Sequence, residues 1–211
     1  MKFVTRTVQQ IYPEPEYEES RRRSFTDYLD ASAIVLLGDP GIGKTTEFEH
    51  ACALEQSAEK HPADDFLTLA TRRFKGKTLY IDALDEFRSQ DVSGREVLNR
   101  IRGRLDELEN PKFRISCRIA DWGGKIDTQS LAKVSRDESI VVLKLNPLTD
   151  DDIAEAISDE ISEPQKFLDE ARSWGLGDLL FNPQTLELLI EAVYQGHNWP
   201  SSRMETFELA I

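Results

Sequence analysis

The residues with the clearest chemical meaning are 38–45, Gly-Asp-Pro-Gly-Ile-Gly-Lys-Thr, which fit the pattern G-x-x-x-x-G-K-[ST] between an apolar run and a helical pattern. Glycines in such a loop let the backbone turn its N–H groups toward an anion, and the following helix adds positive potential. The lysine of this pattern reaches the β- and γ-phosphates of a nucleotide, and the next hydroxyl binds Mg²⁺. We therefore predict a nucleotide phosphate site with Lys44 on the phosphates and Thr45 on the metal. The residues assigned to it are Gly38, Asp39, Pro40, Gly41, Ile42, Gly43, Lys44, Thr45 and the neighbouring Thr46. The alternative, a glycine turn without a ligand, fits the flanking strand and helix less well.

A second group of residues with chemical potential is the acidic segment 82–86, Asp-Ala-Leu-Asp-Glu, which follows an apolar run. A phosphate-bound Mg²⁺ needs a carboxylate at the end of an adjacent strand, and hydrolysis needs a second acid that orients or deprotonates water. We predict that Asp82 binds Mg²⁺ through a water. Either Asp85 or Glu86 is expected to face the attacking water, with Glu86 favoured for its longer reach, and the other acid can simply be solvated.

The last catalytic candidate, after these acids and Lys44, is an arginine. Arg118 follows the predicted strand 113–117, which we expect beside the loop strand, where its guanidinium could bind a γ-phosphate with two hydrogen bonds. The alternative is an exposed arginine paired with Asp121. Arg72 and Arg73 could reach a neighbouring subunit's nucleotide, but solvated charges explain them more simply.

Strands and helices alternate through the first two thirds of the chain, which predicts an α/β fold with a parallel sheet and helices on both faces. The five strands expected for the core are 33–37, 66–69, 78–81, 113–117 and 140–145. The helices expected between them are 44–59 and a stripe from Val97 to Leu108. After Pro147 the pattern is helical only, and three helices are predicted to begin at Thr149, at the capping box 162–165, and at Asn182-Pro183. The tryptophans Trp122, Trp174 and Trp199 are expected to pack rather than to stack on a base.

Charge divides the 211 residues unevenly: residues 1–145 contain 23 basic and 25 acidic side chains, whereas residues 146–211 contain 3 and 14. We accordingly expect an entry segment (1–31), an α/β core (32–146) and a helical lid (147–211). The acidic lid would repel a phosphate backbone, so it is not expected to bind nucleic acid. No apolar run approaches the roughly 20 residues of a membrane span, and no secretory signal is recognisable, so we expect a cytoplasmic protein that binds no membrane. The two cysteines have no metal-ligand spacing.

The acidic segment also carries a resemblance to a known family. Its spacing is similar to the Walker B motif of NACHT NTPases, which belong to the STAND class of signalling ATPases. Related AAA+ and ABC proteins usually place the second acid directly after the first, where this chain has Ala83. The resemblance covers roughly residues 33–196 and implies a P-loop NTPase three-layer sandwich followed by a helical lid.

Three further segments extend the resemblance. Residues 114–118, Arg-Ile-Ser-Cys-Arg, are similar to the sensor strand whose last arginine, here Arg118, faces the γ-phosphate. Residues 145–149 resemble the exit into the lid, and residues 181–186 resemble the lid motif whose proline, here Pro183, packs on adenine. The choice of adenine rests on this resemblance; the guanine-reading sequence N-K-x-D does not occur in the chain.

The function implied by the resemblance is a slowly hydrolysing molecular switch, in signalling and plausibly in defence. ATP or ADP with Mg²⁺ would bind between core and lid, and activated subunits would associate through the full-length protein. Residues 204–211 read as an uncapped helix, so we expect the chain to continue into sensor and effector domains. Two alternatives stay open: a turnover enzyme, either an AAA+-like ATPase or a P-loop kinase, and a nucleotide-binding scaffold without hydrolysis.

Overall fold

The computed structural model describes residues 1–15, 22–82, 94–196 and 199–209. The strands in these residues are β1 Thr7–Tyr12, β2 Arg22–Ser24, β3 Ala33–Leu37, β4 Ala58–Pro62, β5 Thr78–Asp82, β6 Phe113–Cys117 and β7 Val141–Leu145. The α-helices are α1 Lys44–Leu54, α2 Ala63–Thr68, α3 Gly94–Glu107, α4 Lys125–Ala132, α5 Asp150–Ile157, α6 Pro164–Ser173, α7 Pro183–Gly196 and α8 Arg203–Leu209. No helix among the described residues is both long enough and apolar enough to cross a membrane.

All seven strands form one sheet with the order β2-β1-β7-β3-β6-β5-β4. The five strands from β7 to β4 are parallel, which confirms the expected fold class and its five-stranded core. Strand β1 adds to β7 in the antiparallel direction and pairs with β2, so the entry segment contributes two strands that the sequence analysis did not predict. Strand β6 lies between β3 and β5, so the expectation that Asp82 ends a strand adjacent to the loop strand was wrong.

The sheet is covered on both faces, which is why β3 is apolar and buried throughout its length. Alternate residues of the parallel strands, among them Val35 and Ile115, face a cluster that includes Phe66 of α2, Ile101 of α3 and Leu131 of α4. On the opposite face, the ring of Phe48 from α1 lies 5.2 Å from the ring of Tyr80 on β5 and 5.7 Å from that of Phe25. The sheet is therefore the middle layer of a three-layer sandwich.

One of the predicted strands was wrong. Residues 66–69 were expected to form a strand, but Phe66 and Leu67 lie in helix α2, where both are buried in the core cluster. The strand at this place is β4, at the edge of the sheet, and its sequence Ala-Glu-Lys-His-Pro is polar. An edge strand pairs on one side only and needs no apolar run. Helix α1 correspondingly ends at Leu54 instead of continuing to residue 59.

The chain divides into two compact units. One comprises Thr7–Pro40 and Lys44–Asn146, and contains the sheet; the other comprises Met1–Arg6, Gly41–Gly43 and Pro147–Ile211. The second unit has its own apolar core, which consists of Val4, Leu148, Ile153, Ala156, Ile157, Ile161, Phe167, Leu168, Ala171, Leu176, Leu179, Leu180, Leu186, Leu189 and Ile190. Six N-terminal residues, which we call the N-terminal arm, thus pack with helices from the other end of the chain.

All three helices predicted for the second unit are present, and the cap predicted from the sequence is present in two of them. Thr149 forms the predicted cap of α5, because its hydroxyl accepts a hydrogen bond from Asp152 N at 3.2 Å and Asp152 Oδ2 accepts one from Thr149 N at 2.8 Å. Asn182 caps α7, since its Oδ1 accepts from Gln184 N at 3.0 Å. The capping box expected at 162–165 was wrong: the residue before α6 is Glu163, whose side chain makes no capping hydrogen bond.

All three tryptophans are predicted to pack, and two of them do. Trp122 packs against the core of the sheet unit, and Trp199 packs on Phe167 with ring centroids 5.0 Å apart. Trp174 is 52% exposed, so its expected packing was wrong. It follows α6 as the residue after the last helical turn, where the helical spacing no longer fixes its direction.

Candidate phosphate-binding site

The glycine-rich loop joins β3 to α1, as the sequence predicts. It begins at Gly38, whose N–H donates to Cys117 O of the neighbouring strand at 3.3 Å. It ends at Lys44, the first residue of α1. Gly41 and Gly43 have φ angles of +71° and +101°, in the left-handed region where side chains other than glycine are strained. These two positions explain why the loop requires glycine.

Lys44 points back along the loop. Its Nζ donates to Gly38 O at 3.0 Å and to Asp39 O at 3.1 Å, so the ammonium lies against the first residues of the loop. Thr45 and Thr46 follow in the first turn of α1, and both are exposed. A cation and exposed hydroxyls at a helix N-terminus are the groups that a phosphate with its Mg²⁺ requires.

Asp82 ends β5 on the face of the sheet that α1 covers. It is only 7% exposed, and its Oδ1 accepts a hydrogen bond from the hydroxyl of Ser116 on β6. Its Oδ2 lies 3.8 Å from Nζ of Lys60 on β4, and the same Nζ lies 2.6 Å from Glu49 Oε1 of α1. Both oxygens of the carboxylate are therefore oriented by neighbouring strands.

The Asp82 carboxylate and the Thr45 hydroxyl are the candidate ligands for a magnesium ion. Mg²⁺ binds in proteins through one or two carboxylate or hydroxyl oxygens and keeps several waters. An oriented carboxylate and an exposed threonine hydroxyl suit that preference. In the described residues no group of three or more His, Cys, Asp and Glu side chains gathers as a metal-ligand set, so a cage made by the protein alone is not found there.

Arg118 directly follows β6, which pairs with β3 as expected. It is half-buried, and its backbone O accepts a hydrogen bond from Asp121 N at 3.2 Å in a short 3₁₀ helix. The structure therefore places Arg118 beside the end of the loop strand, and its role stays a prediction. Asp85 and Glu86 lie outside the described residues.

The middle of the loop makes its contacts within the second unit. The guanidinium of Arg6 donates from NH1 to Ile42 O at 3.1 Å, and the backbone N–H of Gln184 approaches Gly41 O at 3.4 Å. A Cβ added to Gly41 would lie 2.7 Å from Cβ of Gln184, an atom that cannot move without its backbone, so glycine is required there by close approach as well as by φ. A Cβ at Gly43 would lie 3.8 Å from Cγ of Pro183, which places Pro183 beside this glycine.

A buried polar group on the sheet was missed by the sequence analysis. Arg114 on β6 is completely buried; it donates from NH2 to Leu29 O at 2.6 Å and lies 3.3 Å from Glu55 Oε1. The hydroxyl of Tyr80 donates to Glu55 Oε2 at 2.5 Å. Burial raises the pKa of Tyr80 and lowers the pKa of Arg114. Strand alternation puts Tyr80 and Arg114 on the same face of the sheet as Asp82 and Ser116, two residues further from the carboxyl ends of the strands.

A sequence signal for these residues did exist. Within the strand Phe-Arg-Ile-Ser-Cys, Arg114 and Ser116 are polar and alternate with apolar residues, and so share one face. Polar residues on a covered face must find partners. Arg6 and Gln184 carried no comparable signal, because their partners on the loop are backbone carbonyls distant in sequence.

No protein-family model matches the chain. No curated protein sequence matches it. Among solved structures, the chain is similar to domain III of the replication initiation protein DnaA from Thermotoga maritima, with 15% identity, a TM-score of 0.49, and coverage of 87% of this chain and 88% of that one. The architecture itself is an α/β sandwich of the P-loop NTPase type, with a mostly parallel sheet and the glycine-rich loop between β3 and α1.

Proposed function

We propose that this chain binds ATP with Mg²⁺ through residues 38–45 and Asp82, and hydrolyses the nucleotide slowly. The observation that carries the proposal is the loop: it has left-handed glycines at 41 and 43, follows a buried strand, leads into a helix, and ends in a lysine that folds back on it. A backbone of this form presents consecutive N–H groups to an anion.

Each residue has a separate task in this proposal. Lys44 exchanges its two carbonyl partners for phosphate oxygens and neutralises the charge that develops on the γ-phosphate. Thr45 and Asp82 would hold Mg²⁺, whose positive charge would stabilise the negative charge of the phosphates. Ser116 keeps the carboxylate of Asp82 in one orientation. Arg118 contacts the γ-phosphate, and Glu86 or Asp85 directs the attacking water.

We further propose that hydrolysis serves a switch of the NACHT or STAND kind, and that activated copies associate as part of a longer protein with sensor and effector regions. The support is the spacing of the acids in residues 82–86 together with the sensor-like and lid-like segments. Adenine is the proposed base on the same ground, with Pro183 as its contact.

The first experiment is Lys44→Ala with nucleotide binding measured by calorimetry in the presence of Mg²⁺. Since the Lys44 ammonium bonds to the loop carbonyls Gly38 O and Asp39 O and its side chain is only half-buried, its removal opens no core cavity, and we expect binding to be lost while the thermal unfolding midpoint stays near that of the wild type. Lys75→Ala, at an exposed lysine elsewhere, is the matched control and should bind normally. Wild-type affinity in Lys44→Ala would refute the phosphate site.

The second experiment separates a switch from the other two classes. A turnover ATPase or kinase would exceed about 1 s⁻¹, within the usual range of enzymes. We expect a rate far below this, with product formed over many minutes. Bound nucleotide without any product would favour a scaffold, and a rate above about 1 s⁻¹ would contradict the switch.

A further inference from the structure

We propose that Arg6 is a positioning residue for the phosphate loop: it fixes the peptide between Ile42 and Gly43 so that the N–H of Gly43 points toward the bound phosphate. This inference rests on the proposed function, because it assigns a task at the same site. Arg6 lies at the end of the N-terminal arm, immediately before β1, and nothing in the motif 38–45 anticipates it.

The argument begins with the direction of one carbonyl. Arg6 is 5% exposed, and its NH1 donates to Ile42 O at 3.1 Å. In a trans peptide the C=O and the following N–H point in opposite directions. A guanidinium that holds Ile42 O on its own side therefore turns the N–H of Gly43 to the other side of the loop.

The preceding peptide is oriented in the same way. The N–H of Gln184, in the first turn of α7, donates to Asn182 Oδ1 at 3.0 Å and is shared with Gly41 O at 3.4 Å; this second contact favours an N–H of Ile42 that points away from that helix. The carbonyl of Ile42 is thus held by a charged donor and that of Gly41 by a shared one, and the two N–H groups that follow them are directed away from these donors. Successive N–H groups in left-handed and turn conformations form the concave anion sites called nests.

The charge of the donor strengthens the effect. A hydrogen bond from a charged donor is shorter and stronger than a neutral one, and it polarises the peptide that accepts it. The N–H of Gly43 becomes a better donor as a result. A loop ordered in this way loses less conformational freedom when the phosphate arrives.

The variant that tests this is Arg6→Met, which keeps an apolar stem but has no donor for Ile42 O. We expect ADP and ATP to bind about tenfold more weakly, by a similar factor for both, because a loop N–H serves the phosphates that the two nucleotides share. Arg6→Lys retains a charged donor and should recover part of the affinity. The matched control is Lys2→Met, on the same arm, whose Nζ lies 3.5 Å from Glu155 at the surface; it should bind as the wild type does.

A second measurement needs no nucleotide. With ¹⁵N-glycine labelling, the amide signal of Gly43 should shift or broaden in Arg6→Met, while that of Gly76, in an exposed turn, stays in place. If Arg6→Met does not fold, Arg6→Gln takes its place, since its shorter side chain also lacks the charged donor and the same losses are expected.

The outcomes separate the two proposals. If the wild-type chain binds no nucleotide, the proposed function fails. If the wild type binds nucleotide and the folded Arg6 variants bind it equally well with an unchanged Gly43 signal, the proposed function stands and the role of Arg6 is overturned. A lower unfolding midpoint with wild-type affinity would likewise reduce Arg6 to a structural residue and overturn the inference.

Discussion

Tyr80 and Arg114 are cross-strand partners on β5 and β6, and both contact the carboxylate of Glu55. Glu55 directly follows helix α1, so this contact joins the end of the helix to the middle of the sheet. Ser116 and Asp82 lie two residues further along the same strands, on the same face of the sheet, and are joined by a hydrogen bond. The strand ends that carry the candidate metal ligand are thus supported by a buried, fully covered arginine and its two partners.

The first prediction concerns the ionisation of Tyr80. Burial raises its pKa above the ordinary value of 10.0, and the hydrogen bond to Glu55 acts in the same direction. The unfolded chain loses this proton near pH 10 whereas the folded chain keeps it, so the free energy of unfolding should fall as the pH rises above about 10. Chemical denaturation of the wild type and of Tyr80→Phe at several alkaline pH values checks this, and the slope should be smaller in the variant. Tyr12→Phe, at an exposed tyrosine, should keep the wild-type slope; an equal slope in all three proteins would contradict the assignment.

A second prediction tests the orientation of Asp82. Ser116→Ala removes the hydroxyl that donates to Oδ1, and we expect the Mg²⁺ concentration needed for half-maximal ATP binding to rise about threefold to tenfold, since a single hydrogen bond of this kind contributes about 1 kcal/mol. Metal titration followed by calorimetry measures it. Ser135→Ala is the control, because that buried hydroxyl bonds to Ala132 O at 2.9 Å instead. An unchanged Mg²⁺ dependence in Ser116→Ala would show that Asp82 needs no such support.

A third prediction concerns Arg118. If its guanidinium contacts the γ-phosphate, Arg118→Ala should bind ATP about tenfold more weakly and ADP nearly as well as the wild type. Competition between the two nucleotides in one titration gives the ratio directly. Arg72→Ala, at an exposed arginine, should leave the ratio unchanged. An equal loss for both nucleotides would instead assign Arg118 a structural role.

A fourth prediction ranks the two acids that lie outside the described residues. Glu86→Gln should retain ATP binding and lower the rate of hydrolysis more than Asp85→Asn does, because the longer glutamate has the greater reach toward the attacking water. Single-turnover measurements with saturating Mg²⁺ separate the chemical step from binding. The reverse order would identify Asp85 as the acid that directs water.

The predictable part of the fold is the part whose residues are apolar on a regular period. Strands β3, β5, β6 and β7 and the buried stripe of α3 follow from such patterns. Strand β4 does not follow from such a pattern. It lies at the edge of the sheet, pairs only with β5, and contains charged residues. Residues 66–69, Phe-Leu-Thr-Leu, are too few to distinguish a strand from one turn of a helix, because this short pattern fits both equally well.

The residues of the candidate site also differ in how far the sequence alone predicts them. Lys44, Thr45 and Asp82 could be predicted because each belongs to a short continuous motif with a known chemical task. Ser116 could be inferred only after the register of β5 against β6 was known, since its partner is 34 residues away. Arg6 could not be inferred at all: its acceptor is a backbone carbonyl, and every residue has one.

The placement of residues 41–43 has a consequence for the order of events during synthesis. A chain is made from its N-terminus, and domains generally form as their residues become available. Arg6 precedes Ile42 by 36 residues and is present when the loop is made, whereas Gln184 follows Gly41 by 143 residues. A ribosome-bound fragment that ends before α7 would therefore contain the whole motif 38–45 and still lack the donor for Gly41 O. Nucleotide affinity should consequently appear late in translation, after the sheet and α1 are already complete.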